Sequence, residues 1–115
     1  DVTTLDDYFN NDQHVDFIKI DIEGSEGKAL KGMEKLIKNN PNVKILSEFF
    51  PDRLKYAIDA KNYLEILESL GFKFYDVNKT SDSSVPVTKE YLLETYLVGQ
   101  EKFEKNRITN IFCLR

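Results

Sequence analysis

The stretch Val15–Glu26, V-D-F-I-K-I-D-I-E-G-S-E, constrains the fold more than any other part of the chain. It begins as an extended apolar pattern, ends in carboxylates and one glycine, and runs directly into a helical pattern. On a strand, Val15, Phe17, Lys19 and Asp21 would share one face, and Ile18, Ile20 and Ile22 the other. Apolar residues on both faces predict a strand inside a sheet covered on both sides, the arrangement of α/β proteins. Asp21 and Glu23 would then stand at the carboxyl end of that strand, where open α/β sheets place their ligands.

The flanking patterns fit this frame. Thr4 ahead of L-D-D-Y-F predicts one helical turn with a hydroxyl N-cap and early carboxylates. After Gly24, apolar residues at Ala29, Leu30, Met33, Leu36 and Ile37 predict a single helix, stopped by Asn39-Asn40-Pro41-Asn42. Glu26 is placed to favour the start of that helix through its dipole. Val43–Phe50 reads as a second strand with Glu48 near its carboxyl end, followed by a helical turn at Arg53–Ile58. Lys61–Leu70 reads as a helix capped by Gly71, and Phe72–Val77 as a third strand. Asn78–Pro86 is a loop by composition. Thr88–Leu97 fits an amphipathic helix or a turn and strand, and Gln100–Arg107 a charged, exposed stretch. Asn110–Leu114 is a last strand, apolar on both faces and therefore interior.

Composition sets outer limits. A chain of 115 residues, 41% hydrophobic, can bury one modest core. A net charge of −4 without a basic cluster argues against nucleic acid as the main partner. One cysteine makes no intramolecular disulfide, so a reducing, cytoplasmic setting is expected. No apolar run approaches the ~18 residues of a membrane span. Opening at Asp1 without an initiator methionine suggests a piece of something longer.

The stretch K-I-D-I-E-G-S-E-G-K-A-L-K-G resembles the signature of the FkbM-type S-adenosylmethionine-dependent methyltransferases. The preceding T-L-D-D-Y-F and the later I-L-S-E-F stand in that family's order, and the resemblance covers about the first 50 residues. It implies a partial Rossmann-like methyltransferase fold: a mostly parallel sheet, helices on both faces, and an antiparallel last strand inserted between its neighbours. It also implies that residues 1–115 are the C-terminal portion of one methyltransferase domain, with the upstream cofactor-binding half absent. The activity implied is O-methylation of a sugar-like or natural-product acceptor, with S-adenosylmethionine held mainly by residues upstream of Asp1.

Methyl transfer from a sulfonium needs alignment and charge management more than covalent help. A hydroxyl acceptor is a poor nucleophile until a base or a metal takes its proton. Asp21 is the candidate base; the plainer reading is a carboxylate paired with Lys19, two residues back on the same face. Glu23 is the candidate donor contact, or else a carboxylate that bonds amides in the turn at Gly24. Glu48 and Lys19 are candidates for the acceptor side. Asp21, Glu23 and Glu48 could together hold a divalent cation, by analogy with catechol-type O-methyltransferases. A hydrogen-bonded acidic cluster without metal is the simpler alternative. His14 lies roughly 23 Å from Asp21 along a strand, at ~3.3 Å per residue, too far for a dyad. Cys113 reads as a small core residue.

Two further readings are carried. The chain could be a non-catalytic α/β unit that associates, as a homodimer for example, through an unpaired Val15–Ile22 edge. It could also be a metal-binding module built on the acidic cluster.

Overall fold

The computed structural model describes residues 2–10, 12–54, 58–79, 81–97 and 107–115. In chain order the elements are α1 (Leu5–Tyr8), β1 (Phe17–Ile20), α2 (Glu26–Lys31), α3 (Glu34–Asn39), β2 (Lys44–Phe49), α4 (Ala60–Ser69), β3 (Lys73–Asp76), α5 (Lys89–Tyr96) and β4 (Thr109–Leu114). Half of the helical turn expected at Arg53–Ile58, and all but the last residue of the charged stretch expected at Gln100–Arg107, fall outside the described residues.

Local chemistry sets the helix boundaries. The Thr4 hydroxyl accepts the Asp7 amide and caps α1, Asp59 accepts the Asn62 amide at the start of α4, and Thr88 accepts the Tyr91 amide at the start of α5. The one helix expected after Gly24 is instead two. The Asp6 carboxylate accepts the amides of Lys35 and Leu36 at 3.1 and 2.9 Å, and the Gly32 carbonyl accepts the Asp6 amide at 2.9 Å. The first amides of α3 are thus satisfied by α1, not by α2, and the helix restarts at Glu34. Periodicity cannot see a cap that arrives from 30 residues away.

The four strands form one sheet in the order β1-β2-β4-β3. β1 and β2 are parallel, with Ile18 opposite Ile45 and Ile20 opposite Ser47. β4 runs antiparallel to both β2 and β3. The last strand is therefore inserted between its neighbours, as the resemblance implies. The expectation of a mostly parallel sheet needs correction, since insertion of β4 leaves one parallel pair and two antiparallel ones.

Coverage of the sheet differs from expectation too. Ile20, Ile45, Ser47, Phe49, Phe74, Asp76, Thr109, Ile111 and Cys113 are buried and point to one face. The core joins these to Leu30, Leu36 and Ile37 of α2 and α3, Leu64 and Leu67 of α4, and Leu92 and Tyr96 of α5. The opposite face carries Phe17, Lys19, Lys44, Leu46, Glu48, Tyr75, Phe112 and Leu114, each exposed or half-buried. Helices on both faces are not observed among the described residues. The molecule has two layers, with a shortest principal extent of 19 Å.

The amino-terminal rim of the sheet is tied by one side chain. The Arg115 guanidinium donates to the carbonyls of Asn40, Pro41 and Leu70 at 2.8, 3.1 and 2.8 Å. It also lies 4.7 Å from the centre of the Phe72 ring, so the ends of α3 and α4 share one cation.

Candidate functional site at the carboxyl rim of the sheet

β1 ends at Ile20, and Asp21 is the first residue beyond it, at the rim where the parallel partner β2 also ends with Glu48 and Phe49. The chain then turns through Ile22–Ser25 into α2. Glu26 organises this turn. Its side chain is 2% exposed and accepts the amides of Ile22 and Gly24 at 3.1 and 2.9 Å. The dipole role expected of Glu26, and the amide-bonding role weighed for Glu23, thus merge in Glu26.

The turn is tight. Glu23 adopts φ +53° and Gly24 φ +101°. Gly24 backs onto the chain following β2: a Cβ there would stand 2.5 Å from the Arg53 carbonyl oxygen. Only glycine combines that φ with that approach. Two residues in left-handed conformation turn Glu23 outward, and its side chain is 81% exposed.

Asp21 pairs with Lys19 at 3.8 Å, both side chains about half exposed, so the plainer reading of Asp21 is present in the structure. An exposed pair of this length contributes little and leaves the carboxylate accessible. Glu23 pairs with Arg53 at 3.7 Å, and the Arg53 guanidinium lies 5.0 Å from the centre of the Phe50 ring. Arg53 was not singled out from sequence. The available signal was a cation in F-F-P-D-R, directly after a strand whose end faces carboxylates.

Glu48 feels all of these groups. Partial burial raises its carboxyl above the ordinary range, and the charges of Asp21 and Glu26 raise it further; Arg53 offsets part of this, and Glu23 adds a smaller upward push. Asp21, Glu23 and Glu48 therefore do form one electrostatic neighbourhood. Among the described residues, however, no group of three or more His, Cys, Asp or Glu side chains is arranged to hold a metal ion. A groove of about 510 Å³ runs beside the turn, lined among others by Thr4, Leu5, Ile22, Ser25, Ala29 and Met33. Asp21, Glu23 and Glu48 do not line it.

A third carboxylate at the end of a strand has a different fate. Asp76 is fully buried and accepts from the hydroxyls of Tyr96 at 2.7 Å and Thr109 at 2.6 Å, and from the Asn78 amide at 3.1 Å. It anchors α5 and β4 to β3. His14 is exposed and lies 2.9 Å from Asp16. Cys113 is fully buried, and burial pushes its thiol well up, which leaves it inert. No helix among the described residues is long and apolar enough to cross a membrane.

Residues 1–74 match the Methyltransferase FkbM domain, which carries the likeness past the first 50 residues and into β3. No curated protein and no solved structure matches the chain significantly. The matched segment includes β1, its turn, α2, α3, β2, and both carboxylates of the rim. With that match spanning more than half its length, the chain belongs to the FkbM methyltransferase domain family.

Proposed function

We propose that residues 1–115 form the C-terminal portion of a Rossmann-like, S-adenosylmethionine-dependent O-methyltransferase domain. In this reading Asp21 takes the proton of an acceptor hydroxyl. The observation that carries the proposal is the position of Asp21. It is an accessible carboxylate at the carboxyl rim of a parallel strand pair, within the segment that places the chain in its family.

The donor supplies a methyl group already activated on a sulfonium. The described residues fit that donor only in part. Glu23 offers an exposed carboxylate to its hydroxyl or amino groups. The turn offers few backbone donors, because Glu26 already holds the amides of Ile22 and Gly24. Most of the donor would then be held by residues beyond those described here, beside the outer edge of β1, and the chain alone would be nearly inactive. Asp21 would receive the hydroxyl proton as the acceptor oxygen attacks. Lys19 would orient the carboxylate, and Glu48 would meet the polar part of a small-molecule acceptor.

An NMR titration of the chain with S-adenosylmethionine tests this. Weak binding is expected, with amide shifts confined to Asp21–Ser25 and Glu48–Arg53 and reduced by Asp21→Ala and Glu23→Ala. Shifts elsewhere would remove the site assignment. Micromolar affinity in the chain alone would contradict a divided donor site.

A further inference from the structure

The segment F-F-P-D-R, which ends β2 and follows it, carries a cation that the fold holds still. The Arg53 and Leu54 amides both donate to the Phe50 carbonyl, at 3.0 and 3.2 Å, and close a turn. Leu54 is buried in the core, and Gly24 stands against the Arg53 carbonyl from the other side. Stacking on the Phe50 ring then orients the guanidinium itself. The neighbouring Asp52 does not neutralise it, since that carboxylate pairs with Arg107 at 3.6 Å.

Glu23 is fixed as firmly at its backbone, between two amides that the Glu26 carboxylate binds. The two side chains nevertheless meet loosely. Their nearest charged atoms are 3.7 Å apart, beyond hydrogen-bond reach, and both side chains are more than half exposed. Among the described residues the Arg53 guanidinium donates no hydrogen bond. Two opposite charges on fixed backbones, weakly engaged with each other, suit a ligand that carries both charges itself.

We infer that Arg53 and Glu23 receive an α-amino-acid head group, Arg53 taking its carboxylate through parallel N–H donors and Glu23 its ammonium. The donor of the proposed methyl transfer carries such a head group. The inference therefore rests on that reading, and it makes Arg53 a specificity-determining residue for the donor.

A plain anion suits this place poorly. Asp21, Glu48 and the buried Glu26 share the neighbourhood, and their charges repel it. A zwitterion exchanges one loose ion pair for two closer ones. The donor's positive sulfonium is also favoured by the surplus of carboxylates at this rim. A lysine at position 53 would be a poorer partner, because an ammonium has no planar fork to match a carboxylate.

NMR titrations of the 115-residue chain with S-adenosylmethionine and with its decarboxylated form test this. The two ligands differ only in the carboxylate. Arg53→Gln should weaken S-adenosylmethionine about tenfold, through loss of a charge-assisted bidentate contact. It should leave the decarboxylated form unchanged or tighter, because a repelling cation is gone. Arg53→Lys should lose only about threefold for S-adenosylmethionine. Glu23→Gln should weaken both ligands alike, since both carry the ammonium; no effect on either would remove that contact and overturn the inference. Equal losses for both ligands in Arg53→Gln would overturn it and leave the donor reading intact. No loss for either would do the same, and is the result expected if Arg53 serves an acidic acceptor instead. No shift at Asp21–Ser25 and Glu48–Arg53, or shifts only elsewhere, would overturn the inference and the donor reading together.

Discussion

The Glu26 carboxylate folds back on Gly24, accepting its amide at 2.9 Å while reaching the Ile22 amide with its other oxygen. Two bonds to this carboxylate, one buried and one part-buried, fix the turn that exposes Glu23 and ends β1. Glu26→Ala leaves both amides without a partner and is expected to cost about 2–4 kcal/mol. Glu26→Gln keeps the shape but has one oxygen for two donors, so a smaller loss of about 1–2 kcal/mol is expected. Urea unfolding of the three proteins checks the order, wild type above Gln above Ala. If Ala equals wild type, the turn is held by something else.

Gly24→Ala tests the other half of the same turn. The added methyl would meet the Arg53 carbonyl at 2.5 Å, in a backbone conformation already at φ +101°. The loss expected is about 2–4 kcal/mol, from strain and overpacking together. Amide shifts should change at Arg53 as well as around Gly24, because the two segments press on each other. A Gly71→Ala control, at φ +92° with no neighbouring atom nearer than 3.8 Å, carries the backbone strain without the overlap and should cost less.

How far the sequence could be read follows from these contacts. The alternation in V-D-F-I-K-I-D-I-E gave a strand ending near Asp21, because a period of two survives any neighbour. Val43–Phe50 and Asn110–Leu114 were legible for the same reason. The covering of the sheet was not. Phe17, Leu46 and Phe112 read as buried because they are apolar, yet they belong to the open face. Hydrophobicity reports what a side chain prefers, not whether another layer is there. Asp21, Glu23 and Glu48 were placed together correctly, since adjacent strand ends bring them close. Glu26 was read only as a helix-dipole residue, and its two amide bonds were missed, because a reach of two to four residues back along a turn leaves no periodic trace. Arg53 was missed because one arginine after a strand looks like surface.

Asp76 and Tyr96 form a buried polar contact, with the phenol hydroxyl donating to the carboxylate at 2.7 Å. Burial, reinforced by that neighbouring carboxylate, pushes the Tyr96 hydroxyl up to about 12. The folded value lies above the unfolded one of about 10, so the folded state keeps the proton more tightly. The associated stability is complete below pH 10 and is lost as pH rises from about 10 to 12. Tyr96→Phe should cost about 1–2 kcal/mol at pH 7 through the lost bond and should flatten the alkaline limb of the melting temperature. An unchanged alkaline limb would assign that loss to other groups.

Glu48 should behave in the opposite sense to a salt-bridged carboxylate. Its folded carboxyl is raised by burial and by Asp21 and Glu26, so ionising it costs the native state more than the unfolded chain. That penalty is absent below the unfolded pKa, grows as pH rises through the folded one, and is complete at neutrality. Glu48→Gln is therefore expected to stabilise the chain at pH 7, by less than about 1 kcal/mol at this partly solvated site. The gain should fade as pH drops through the carboxylate range. Thermal melts between pH 3 and 8 read the difference directly. A destabilised variant at pH 7 would mean that attraction to Arg53 outweighs repulsion from Asp21 and Glu26.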